Sequence, residues 1–190
     1  MRELIIAIRN FFVLWVLTAL IYPFLMIFIS QTAFPFQANG SLIINSQQQV
    51  IGSTLIGQNF SREGYFWSRP STINYSEGED YAPTGVSGAS NIAPGNPDLI
   101  QRIRVQVTKL SSQGIKPTAD LLYTSASGLD PHITIEAAIA QIPRVAKSRS
   151  LSPDQVQALI AQNTDAPFLG IFGEPSVNVL KLNLSLDNQR

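Results

Sequence analysis

Between Arg9 and Arg62 the chain carries no charged residue. Inside that gap, "NFFVLWVLTALIYPFLMIFIS" (residues 10–30) is almost wholly apolar. About twenty such residues in a helix rising ~1.5 Å each cross the ~30 Å hydrocarbon core of a bilayer. A lone segment in lipid must satisfy its amides internally, so a helix is the form it takes. Pro23 is expected to kink it, which membrane helices tolerate. A cleaved signal peptide would have an apolar run of about 7–15 residues and a small-x-small site. This run is longer, and "SQTAFPF" offers no such site. A buried soluble helix fits poorly, because large apolar residues occur all the way round. Arg2 and Arg9 precede the span and no basic residue follows for some fifty positions. The positive-inside rule then places residues 1–9 in the cytoplasm, 10–30 in the membrane and 31–190 outside the cytoplasm.

The other bulk properties mostly exclude. Formal net charge is zero, with 13 basic and 13 acidic residues, which argues against a nucleic-acid partner. There is no Cys and a single His, so thiol chemistry, disulfides and the usual zinc ligand sets are out, and no metal site is expected.

Residues 31–190 suffice for one domain, with no internal repeat. Residues 39–58 read as a β-hairpin and residues 68–97 as a long loop with the acidic residues Glu77, Glu79 and Asp80. That cluster is expected to be a solvated surface with at most a weak role in gathering cations. A helix starts at Asn96 (cap) and Pro97, presents Leu99, Ile103, Val107 and Leu110 on one face, and ends at Gly114. Residues 119–125 read as a strand. Thr134 caps a second helix with Ile135, Ala138, Ile139, Ile142 and Ala146 on its buried side, interrupted and bent at Pro143. "LSPDQV" carries a capping box (Ser152, Gln155), with Pro153 in first position and Leu151 stapled to Val156. Residues 177–187, with Leu180, Leu182, Leu184 and Leu186 alternating with polar residues, read as a strand with one buried face. The expected fold class is α+β: one transmembrane helix, then a mixed α/β extracytoplasmic domain.

Two stretches invite a chemical reading. "SASGLDPHIT" (residues 125–134) holds Ser127, Asp130 and His132, the residue types of a nucleophile, an orienting acid and a base. They lie within six residues of one another, no G-x-S-x-G elbow is present, and Gly128 with Pro131 explains the same letters as a turn. "GYFWSRPS" (residues 64–71) places Tyr65, Phe66 and Trp67 before Arg69. It reads either as core packing or as an aromatic and guanidinium surface for a protein partner. No phosphate-binding glycine loop occurs.

Taken in order, "GSTLIGQNF", "GYFWSRPS", "SGASN", "SASGLDPHIT", "QIPRVAKSR" and "VNVLKLNLSLD" resemble the C chain of Kdp-type potassium-transporting ATPases. Ala89 stands where the family more often has a glycine, and "NSQQQ" lacks the usual Asn-Gly or Asp-Gly. The resemblance implies a non-catalytic subunit of a complex in which a channel-like subunit conducts K⁺ and a P-type ATPase subunit hydrolyses ATP. It also implies roles in assembly and in raising the ATPase subunit's affinity for ATP. Gln141 and the Ser127–Asp130 motif come under suspicion through it, and Arg144 with them. The expectation is therefore no catalytic residue, no cofactor bound by this chain alone, and coupling or interface roles for Tyr65, Phe66, Trp67, Arg69, Ser127, Gly128, Asp130, Gln141 and Arg144. ATP is cytoplasmic while the charge pattern puts the domain on the other side, so any effect on ATP affinity would travel through the membrane helices. The competing readings are an anchored hydrolase using Ser125 or Ser127, and an anchored adhesion or sensor domain.

Overall fold

The computed structural model describes residues 1–45, 47–79 and 85–189. The chain divides into two compact units, Met1–Ile51 and Gly52–Arg190.

The first unit is dominated by one helix, Arg2–Ala33, long and apolar enough to cross a membrane. It comprises α1 (Arg2–Val16), a π-helical turn (Leu17–Ile21) and α2 (Tyr22–Ala33), none of whose residues is buried by protein. The widened turn sits just ahead of Pro23. Pro23 offers no N–H to the carbonyl four residues back, and its ring crowds that carbonyl. A π turn is a known way for a helix to absorb such a defect. The hydroxyls of Thr18, Ser30 and Thr32 donate to the carbonyls of Leu14, Met26 and Phe28, at 2.8, 2.7 and 2.8 Å. Each of these hydroxyls thereby has an acceptor within its own helix, as a helix in an apolar medium requires. After the short α3 (Pro35–Ala38), β1 (Leu42–Ile44) and β2 (Val50–Ser53) pair as the expected hairpin. Asn45 organises its turn. The side-chain oxygen accepts from the amides of Gln47 and Gln49, both at 2.9 Å, which replaces the missing Asn-Gly chemistry. Ser46 lies outside the described residues.

In the second unit α4 (Pro97–Ser112) begins and ends where the sequence indicates. The Asn96 side chain accepts from the Asp98 amide, and Gly114 adopts φ +68°. Residues 119–125 are not a strand. Ala119–Leu122 form a single helical turn, α5, from which Leu121 enters the core, and Tyr123 follows it in an extended conformation. Three strands make an antiparallel sheet in the order β3 (His132–Thr134), β5 (Ser176–Asn178), β4 (Thr164–Asp165). Ile133 faces Val177, and Thr164 faces the same residue from the other side.

The helix α6 (Ile135–Arg149) is capped by Thr134, which accepts from Ala137 N–H. It runs through Pro143 without interruption, contrary to the sequence expectation. Pro143 is exposed, so water can reach the carbonyl it strands. Ile139, expected inside, is exposed as well, while Ala138, Ile142 and Ala146 are buried. The helix α7 (Pro153–Gln162) carries the complete capping box, and Leu151 packs on the cluster that contains Val156. The last segment departs most from expectation: only Ser176–Asn178 is strand, and Val179–Asp187 is the helix α8. Asn178 caps it by accepting from Lys181 N–H at 3.1 Å. Val179, Leu182, Asn183 and Leu186 form its buried stripe, a helical spacing that the alternate leucines conceal. The core joins α6, α7 and α8 to the sheet, with Phe66, Leu110, Ile115 and Leu121 completing it.

Candidate functional site

The suspected residues fall into two neighbouring assemblies. In the first, two helices hold an irregular segment by its backbone. Gln141 on α6 accepts from the Trp67 amide at 2.8 Å and donates to the Trp67 carbonyl at 3.2 Å. Asn183 on α8 treats Phe66 the same way, accepting from its amide at 2.8 Å and donating to its carbonyl at 3.0 Å. Each carboxamide thus acts as one rung of a β-ladder. The segment is neither strand nor helix, yet its buried polar groups are satisfied. Arg144 donates to the carbonyls of Glu63 and Tyr65 and to Gln141 Oε1, and its guanidinium lies 4.2 Å over the Trp67 ring. Arg149 repeats the pattern on Gly64 and Tyr65, and pairs with Asp187, which the Tyr65 hydroxyl also reaches at 2.9 Å. Phe66 and Gln141 are wholly buried, Arg144 nearly so, and Tyr65 and Trp67 are half-buried. Burial lowers the Arg144 pKa to about 10, against the opposing pull of Glu63, which still leaves it charged at neutral pH.

The second assembly is the loop 125–132. Gly128 sits at φ +68°, where a Cβ would lie 2.5 Å from Ile73 Cγ1 and 2.7 Å from the Gly88 carbonyl. Around it the loop gathers four segments. Its carbonyls at Ser127, Gly128, Leu129 and Pro131 accept from Gly88 N–H, the Ser71 hydroxyl, Gly57 N–H and Val179 N–H, all within 2.9 Å. Ser125 accepts from Gly128 N–H, and Ser127 accepts from Leu129 N–H. Facing Gly128 is a turn in which Asn74, Tyr75 and Ser76 all take positive φ, at 46°, 56° and 56°. Three consecutive non-glycine residues there are strained by roughly 1–3 kcal/mol each. The buried Tyr75 holds the turn by donating to the Arg69 carbonyl at 2.6 Å, and burial pushes its hydroxyl pKa up to about 12.

A line of charges runs along one edge of this loop. Arg69 is 3.3 Å from Asp130 and 4.0 Å from Asp120. His132 Nδ1 is 3.7 Å from Asp130 and its Nε2 is 3.2 Å from Asp165, which also meets Lys181 at 3.5 Å. Asp130 and then Asp165 raise the His132 pKa above 6.5, outweighing burial. For Asp130, burial pushes upward, but bonds to His132 and the charge of Arg69 carry it below 3.8. The Ser127 hydroxyl bonds Ser125 and the Leu129 amide, while the imidazole bonds carboxylates. No serine–histidine hydrogen bond connects them among the described residues, which leaves the hydrolase reading without its first requirement. Asp80 lies outside the described residues, and Glu77 accepts from the Asn59 amide at 3.1 Å.

Sequence reasoning named these nine residues as one set, and it is the structure that joins Tyr65, Phe66 and Trp67 to Gln141 and Arg144, and Arg69 to the loop of Ser127, Gly128 and Asp130. Sequence reasoning missed Asn183 and Asp165. A polar residue at a buried position of an otherwise apolar helical stripe would have been the signal for Asn183, once the helix was recognised.

Residues 4–188 match the family described as "K+-transporting ATPase, c chain". The potassium-transporting ATPase KdpC subunit of Synechocystis sp. is 61% identical over 188 residues, covering 99% of each chain. The KdpC subunit 1 of Nostoc sp. is 59% identical over 98% of this chain and 96% of its own. The subunit from Geobacter sulfurreducens is 47% identical, covering 98% of both. This chain, whose two clasped assemblies draw residues from all six quoted motifs, belongs to the KdpC family, the c chains of the K⁺-transporting ATPases.

Proposed function

We propose that this accessory subunit is anchored by Arg2–Ala33 and carries its folded domain on the extracytoplasmic face, where it clamps the K⁺-conducting subunit to the P-type ATPase subunit. The complex hydrolyses ATP, and this chain is not itself the catalyst. ATP and K⁺ are handled by the partner subunits, and this chain binds neither alone. Its influence on ATP affinity is a coupling free energy transmitted through the membrane helices. Tyr65, Phe66, Trp67, Gln141 and Arg144 in one assembly, and Arg69, Ser127, Gly128 and Asp130 in the other, keep the docking surface rigid so that this coupling is not dissipated.

The observation that carries the placement is the charge pattern: arginines before the apolar helix and none for some fifty residues after it. The chain has no native cysteine, so single cysteines report topology cleanly. In intact cells a membrane-impermeant maleimide should label Ser87→Cys, which is exposed, and should reach Glu3→Cys only after lysis. The reverse pattern would put the domain in the cytoplasm and sink the reading.

A further inference from the structure

The hairpin joining β4 to β5 ends in an apolar tip. Phe168, Leu169, Ile171 and Phe172 are 70%, 73%, 78% and 63% exposed. Among the other described residues of this unit, exposed large apolar side chains are scattered singly or in pairs, as on any surface. Four in five consecutive positions form a patch of the kind that marks an interaction site. The tip is also preformed. Phe168 and Phe172 exchange backbone hydrogen bonds at 2.8 and 2.9 Å, and the Ile171 amide donates to the Phe168 carbonyl at 3.2 Å. Leu169 and Gly170 both take positive φ, at 54° and 73°. That geometry favours Asn-Gly or Asp-Gly. A leucine there is strained, and it gains nothing from its own domain because it points into solvent. Two local costs at one residue, with no benefit inside the domain, indicate a benefit outside it.

We propose that residues 168–172 are a docking finger that inserts into an apolar crevice with a basic rim on another protein subunit of the ATPase complex. The proposal rests on the assembly reading above. Charge selects the occupant: from Ser150 to Leu180 the chain has no Lys or Arg, and while Asp165 is already paired with His132 and Lys181, Asp154 and Glu174 meet no cation among the described residues. Acidic flanks repel anionic headgroups, and membrane-surface elements are ordinarily rich in Lys and Arg. They suit a basic rim on a protein.

The test uses tagged full-length chain co-expressed with the other subunits and extracted in detergent. Leu169→Asn/Ile171→Ser should unfold at or above the wild-type temperature, because asparagine suits the left-handed position. Its recovery of the partner subunits should nevertheless fall at least about tenfold. Glu174→Lys should weaken recovery too, and Val105→Ser, an exposed apolar control on α4, should not. Full recovery by the double variant would overturn the finger alone. Failure of wild-type chain to recover any subunit would overturn the assembly reading and the finger with it. A polarity-sensitive dye on Leu169→Cys should shift to the blue only when the partner subunits are present. A shift in phosphatidylcholine vesicles holding this chain alone would assign the tip to lipid instead.

Discussion

At the residue scale, side-chain amides and one histidine bear most of the specific burden. Gln141→Ala would strand the Trp67 amide and carbonyl and remove an acceptor from Arg144 in a buried site. Each group left unsatisfied costs about 1–3 kcal/mol, and urea unfolding should register the sum as a lower midpoint at constant slope. Because the residue is fully buried, a loss of coupling in this variant has to be judged at matched fold stability. His132 sets a pH dependence. Its pKa is raised by Asp130 and Asp165, so its stabilising contribution is complete below the unfolded value of 6.5 and disappears as pH rises through the folded value. The stability advantage of wild type over His132→Gln should therefore be largest in mild acid and shrink toward alkaline pH. Asp130 has a lowered pKa, so its contribution is present above 3.8 and lost only as pH falls further, which keeps the two effects apart.

At the element scale, the helix ends were legible and the two short segments were not. Asn96, Thr134 and Ser152 announced α4, α6 and α7, because a cap is a local bond between neighbours in sequence. Residues 119–125 and 177–187 misled. Leucines at every second position match a strand and mask the helical stripe of Val179, Leu182, Asn183 and Leu186, in which Asn183 turns inward to hold Phe66 117 residues away. No local pattern reports a partner at that distance. The left-handed turn at residues 74–76 was equally hidden, since it lacks the glycine that usually marks one. Pro143 offers the converse test. It is exposed inside α6 and leaves a carbonyl without its helical partner, so Pro143→Ala should raise stability by up to about 3 kcal/mol, read from denaturant midpoints.

At the scale of the whole molecule, the apolar helix and the folded body have separate sources of order. The hydrophobic core draws on residues from Phe60 to Leu186 and on none from the helix Arg2–Ala33. Removing residues 2–33 should give a chain that still unfolds cooperatively, with a calorimetric midpoint close to that of the full chain in detergent. Class and family were readable from the outset, because the span, the caps and the motifs are all short-range signals. The two assemblies were foreseen only as names, since their geometry depends on side chains that reach across the fold. Fastening by Gln141 and Asn183 also decides how the domain can come apart. A strand zipped to a neighbour frays from its end, rung after rung. The stretch through Phe66 and Trp67 is riveted at two adjacent residues by different helices, so it stays seated until α6 or α8 itself lets go.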